Sequence, residues 1–161
     1  MRFLNKAAIL FILPLMILTS CSKEKPEVEF TPTYKMSGEW YIKFYTGGAA
    51  VTTYHKIISY NTADPNSNQI WVDDLNFQPF KAKFDIDYST LSFKPLTGIA
   101  NAANTGKTIK VLEGKVLPSA GKSKSGVTVD SIFMKLEFSE EPGTIYDVAG
   151  HQRTGFFEDE L

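Results

Sequence analysis

The sequence predicts an all-β fold, a single antiparallel up-and-down barrel of about eight strands, on three observations. Residues 80–88 alternate without a fault, Phe80, Ala82, Phe84, Ile86 and Tyr88 against Lys81, Lys83, Asp85 and Asp87. Two faces of opposite character at period two mark a half-buried antiparallel strand. No helical period of useful length follows the first twenty residues. Turn clusters such as Asp64-Pro65-Asn66-Ser67-Asn68 interrupt the remainder at short intervals, the punctuation of a barrel or sandwich.

The other strands are read in order. In residues 39–45, Trp40, Ile42 and Phe44 share one face, with Glu39, Lys43 and the hydroxyls of Tyr41 and Tyr45 opposite. Residues 50–60 are rich in β-branched and aromatic types, and short strands are expected at 69–72 and 90–94. A Gly/Asn-rich loop is expected at 97–107. Strands at 108–117, 127–138 and 144–157 complete the set, with a loop at 118–126. Gly114 and Gly150, each inside a strand, predict a bulge or bend.

Twelve Phe, seven Tyr and two Trp exceed what a small barrel needs to seal its ends. Tyr54, Trp71, Phe84, Tyr88 and Phe133 come from several strands and are the candidates to line a ligand cup; the alternative is an ordinary core. At eight strands the interior either packs solid or holds one small ligand, and sequence leaves both open.

The N-terminus has a different character. Arg2 and Lys6 precede an apolar run from Ala7 to Leu18, too short for a bilayer span of about 20 residues but suited to a cleaved export signal. Leu18-Thr19-Ser20-Cys21 resembles the lipobox of bacterial lipoproteins. That resemblance implies a signal at 1–20, a lipid-modified Cys21 as the mature N-terminus, and a membrane partner reached through acyl chains (palmitate or similar). Residues 21–36, charged and containing two prolines, read as the tether, and 37–161 as the barrel domain. The expected location is the cell envelope, at the outer membrane, with the face undetermined.

Composition excludes several classes. Cys21 is the one cysteine, so its modification removes disulfides, thiolate metal sites and cysteine nucleophiles together. Taking Arg2 and Lys6 from 17 basic residues leaves 15 against 18 acidic ones, a net of −3, which argues against a nucleic-acid partner. Gly106-Lys107-Thr108 is no phosphate loop, because Asn101 stands where its first glycine belongs and a strand follows. Asp64, Asn66 and Asn68 begin a calcium-loop pattern that Gln69 and Leu75 break. No metal-ligand spacing and no cofactor motif emerge, and no Gly-x-Ser-x-Gly nucleophile elbow is present. The two histidines, His55 and His151, are the candidates for a catalytic base.

Gly38-Glu39-Trp40-Tyr41 resembles the Gly-x-Trp opening of lipocalins, which implies a structural Trp40 at the barrel floor covered by an arginine of the last strand; Arg153 is the candidate. With Trp71-Val72 and the closing Gly150-His151-Gln152-Arg153-Thr154-Gly155-Phe156, residues 36–161 resemble a family of Bacteroidetes lipoproteins known as lipid-binding putative hydrolases. The resemblance implies a lipocalin-like barrel with a lipid or other small apolar ligand inside. It carries no catalytic residue with it. Two other functions stay open: an envelope protein–protein interaction module with a filled barrel, contacting its partner through 97–107 and 118–126, and a lipid or ester hydrolase using His55 or His151.

Overall fold

The computed structural model describes residues 30–64, 66–74 and 78–161; the expected signal, Cys21 and most of the tether lie outside the described residues. Ten strands follow a short 3-10 turn at Tyr34–Met36: β1 (Gly38–Thr46), β2 (Ala49–Ala50), β3 (His55–Asn61), β4 (Gln69–Asp74), β5 (Phe80–Asp87), β6 (Ser92–Phe93), β7 (Leu96–Ala100), β8 (Thr108–Lys122), β9 (Thr128–Phe138) and β10 (Ile145–Gln152). Eight of them form a closed antiparallel ring in the order β1, β3, β4, β5, β6, β8, β9, β10. β10 pairs back onto β1 from Trp40↔Gln152 to Tyr45↔Asp147, which completes the barrel. The remaining two are short additions, β2 on β1 and β7 on β8.

Alternation in the sequence becomes inside and outside. Along β5, Phe80, Ala82, Phe84 and Ile86 are buried while Lys81, Lys83, Asp85 and Asp87 face outward. β9 repeats the arrangement with Ile132, Met134, Leu136 and Phe138 inside. The barrel is therefore filled. Phe138 packs on Phe80 (5.6 Å between ring centres) and Tyr146 (5.8 Å), and Phe93 meets Phe84 edge-on at 6.0 Å. Rings so arranged leave the tight packing of an ordinary protein interior.

One end, here the floor, is where β1 begins and β10 finishes. Met36 of the 3-10 turn is fully buried there, its carbonyl accepts from Ser59 Oγ (2.6 Å), and Ser59 Oγ accepts from Trp40 Nε1 (2.8 Å). This chain satisfies the indole N–H that burial would otherwise orphan. Asn101 performs a similar service at the opposite rim, accepting at Oδ1 from the Lys81 and Ala103 amides and donating to the Pro79 carbonyl.

Several expectations are corrected. Register through Gly150 is unbroken against both β1 and β9, so no bulge occurs there. Its role is close approach: a Cβ would stand 2.0 Å from the Tyr41 carbonyl oxygen. Gly114 does adjoin a register shift, between Val111 and Glu113. β8 continues to Lys122 through a second shift at Leu117–Gly121, so most of the loop expected at 118–126 is strand. The last strand stops at Gln152 instead of 157, and the loop expected at 97–107 begins as β7. Among the described residues no helix is long and apolar enough to cross a membrane.

A candidate lipid-binding trough in the barrel wall

Between β5 and β7 the barrel wall loses its ladder. Lys94 N donates to the Asp85 carbonyl (2.8 Å) and Ala102 N to the Lys81 carbonyl (2.7 Å). Between those two bonds, residues 95–101 on one side stand opposite only 82–84 on the other. The longer side must bow. Pro95 contributes no amide donor, and Gly98 takes φ +76°, a left-handed conformation that favours glycine.

The bow opens a trough of about 400 Å³ on the outer surface. One bank is Gln69, Trp71 and Lys83; the other is Leu96–Ala100 with Ala102. Trp71 projects outward because its neighbours Ile70 and Val72 are the buried ones. Its ring stacks on Tyr60 (6.5 Å, 24° between planes), and Lys83 Nζ stands 5.1 Å from the ring centre. Lys81 is held by Asp73 at 3.2 Å. Lys83 is exposed and has no carboxylate partner among the described residues. An apolar furrow with a cation on its bank suits a ligand with an acyl chain and a negative head.

The aromatic candidates do not converge. Phe84 is in the sealed core, and Tyr88 lies partly buried near the floor, 6.4 Å from Tyr34. Phe133 faces outward on β9 with Lys135 over its ring, and Tyr54 lies outside β1, with Lys43 4.3 Å from its ring. Trp71 alone of the five borders the trough. Leu96, Thr97 and Gly98 were missed because Gly98 and Pro95 read as loop.

The histidines have separate environments. His55 stacks on Phe44 (5.7 Å), with Nε2 3.2 Å from Asp74 Oδ2 and Nδ1 3.3 Å from the Thr53 carbonyl. Two accepting partners call for the doubly protonated ring. Burial opposes that charge, but Asp74 and the Thr53 carbonyl outweigh it and raise the pKa. With both nitrogens engaged, His55 is held between Asp74 and the Thr53 carbonyl. His151 borders an outer cleft with Tyr45, Tyr54, Lys122 and Ser131, and burial lowers its pKa against the opposing charge of Asp159. Ser131 is its register partner on β9. The Asp159 carboxylate, however, accepts from the Ser125 amide and Thr154 Oγ1, so it does not orient the imidazole as a triad acid does.

Arg153 is on the outer surface, its guanidinium bridging Glu39 and Glu160, both at 2.5 Å. Glu39 and Trp40 are successive residues of one strand and so face opposite ways; the arginine is on the Glu39 side, and the cover of Trp40 is Met36 and Ser59 instead. Among the described residues no three His, Cys, Asp or Glu side chains gather as metal ligands.

The model of one family, lipid-binding putative hydrolase, matches residues 25–157. The chain belongs to that family. No curated protein matches it. The barrel interior is filled, and the trough lies in its wall, with Trp71 on one bank and Lys83 without a carboxylate partner among the described residues.

Proposed function

We propose that the protein is an outer-membrane lipoprotein, acylated at Cys21, that binds an anionic amphiphile in the trough between β5 and β7. The acyl chain lies along Trp71, Leu96 and Ala100, and the head is held by Lys83. The observation that carries this reading is the bowed wall with Trp71 and Lys83 on one bank; the family's lipid-binding character supports it. Each buried methylene contributes about 0.8 kcal/mol, so roughly six of them give ~5 kcal/mol before association costs.

Titration with a long-chain fatty acid tests it. Trp71→Ala is expected to weaken binding at least about tenfold and Lys83→Ala about threefold, since an exposed charge contact is worth ~1 kcal/mol or less. Wild-type affinity in both variants would place the ligand elsewhere. No binding by the wild-type protein, to fatty acid or phospholipid, would favour the interaction module.

A further inference from the structure

Of the eleven exposed large apolar side chains among the described residues, Val51, Tyr54 and Ile145 are toward the rim, Leu96 and Leu117 are on the wall, and six lie at the floor. Phe30 and Tyr34 belong to the chain entering there, Val127 to the β8–β9 hairpin, and Phe156, Phe157 and Leu161 to the segment that leaves β10. Antiparallel order puts all three segments at one end: Trp40 pairs Gln152, and the hairpin closes at Lys122↔Thr128. Hydrogen bonds join the hairpin and β1 to the C-terminal segment. Asp159 Oδ1 accepts from the Ser125 amide (2.6 Å), Lys124 Nζ donates to the Glu160 carbonyl (3.2 Å), and Tyr41 Oη donates to Glu160 (2.6 Å).

The C-terminal segment is therefore fastened, not frayed. Asp159 is buried, and its pKa is held down at about 2; burial works against that, but the bonds from Thr154 and from Ser125 and Ser123 prevail. Yet Phe157, two residues before this anchor, is 93% exposed. A side chain of that size held rigidly in water on a fixed turn is a feature of a contact surface.

We infer that the floor seats on the bilayer that carries the anchor, with Phe156, Phe157 and Leu161 among the lipid head groups and Lys122 and Lys124 against phosphates. This rests on the anchored reading above. Length argues for the bilayer as the occupant. From Cys21 to Phe30 the chain spans nine residues, a reach of roughly 30 Å at full extension, and it enters at the floor. The apolar end is the end the tether holds close to lipid. Glu158, the exposed acid beside Phe157, limits the depth to the interface.

Hydrogen exchange on the full lipidated protein tests the inference, in phosphatidylethanolamine/phosphatidylglycerol vesicles against the same protein in detergent. Amides of 123–128 and 153–161 are expected to slow at least about threefold in vesicles, while those of 47–53 and 140–144 at the rim do not change. The double variant Phe156→Ser/Phe157→Ser is expected to float with vesicles and melt as wild type does, but to lose the added protection. A protein that floats without floor protection stands off on its tether, which overturns the inference and leaves the anchor intact. Protection at the rim instead would do the same. A Cys21 without acyl mass, in a protein that does not float, removes the anchored reading itself and the inference with it.

Discussion

Two stretches of barrel wall, built from the same kind of strand, show opposite behaviour. Across β9, β10 and β1 the register is unbroken, and Gly150 lets β1 approach so closely that no side chain fits between. Across β5 and β7 the register is lost, and the space beside Gly98 is open, with nothing within 4 Å of where its Cβ would be. The first wall pairs its backbone groups with each other, and its outer cleft beside Tyr45 and His151 lies over an unbroken ladder. The second leaves an aromatic ring and a lysine beside a gap. In a barrel whose lumen is full, the proposed site lies where the wall bows.

The two glycines give the largest expected contrast. Gly150→Ala puts a methyl 2.0 Å from the Tyr41 carbonyl, and since backbone cannot yield, a loss above about 3 kcal/mol or failure to fold is expected in urea denaturation. Gly98→Ala meets no atom and carries only the strain of φ +76°, about 1 kcal/mol. Equal losses would erase the distinction between the walls.

The tryptophans come next. Trp40→Ala empties a fully buried site and orphans the Ser59 bond, for an expected 3–5 kcal/mol by thermal or chemical unfolding. Trp71→Ala, on the outer face, is expected to cost about 1 kcal/mol or less while removing most of the lipid affinity. A normal melting temperature for Trp40→Ala would contradict the floor assignment.

The histidines give the smallest effects, with opposite signs. The raised pKa of His55 makes its stabilisation complete below the unfolded value near 6.5, and lost as pH rises through the higher folded value. The difference between wild type and His55→Gln should therefore be largest in mild acid and shrink above neutrality. The lowered pKa of His151 works the other way: the fold loses stability as pH falls below about 6.5 towards the depressed folded value, and His151→Gln should remove that loss. Urea midpoints between pH 5 and 8 would show both slopes; parallel slopes would refute the assignment.

Much of this was legible in the sequence, and its limits have physical causes. The faces of β1, β5 and β9 follow from period two alone. By the same rule Trp71 lies between Ile70 and Val72 and Phe133 between Ile132 and Met134, so both had to face outward; aromatic character suggested a cup that alternation forbids. β7 was hidden because Pro95 and Gly98 are loop residues by propensity, and only the β8 ladder makes Leu96–Ala100 a strand. The His55–Asp74 pair and the Arg153 bridge join residues far apart in sequence, set by register that no local pattern encodes. Whether rings fill a lumen depends on shape and volume, which composition does not carry.

Quenching by a fatty acid brominated along its acyl chain tests the central claim most directly, because the two tryptophans report on the two possible places. In Trp40→Phe, where Trp71 remains, the account predicts strong saturable quenching; in Trp71→Phe, where buried Trp40 remains, it predicts almost none. Quenching of Trp40 would put the ligand inside the barrel and contradict the wall site.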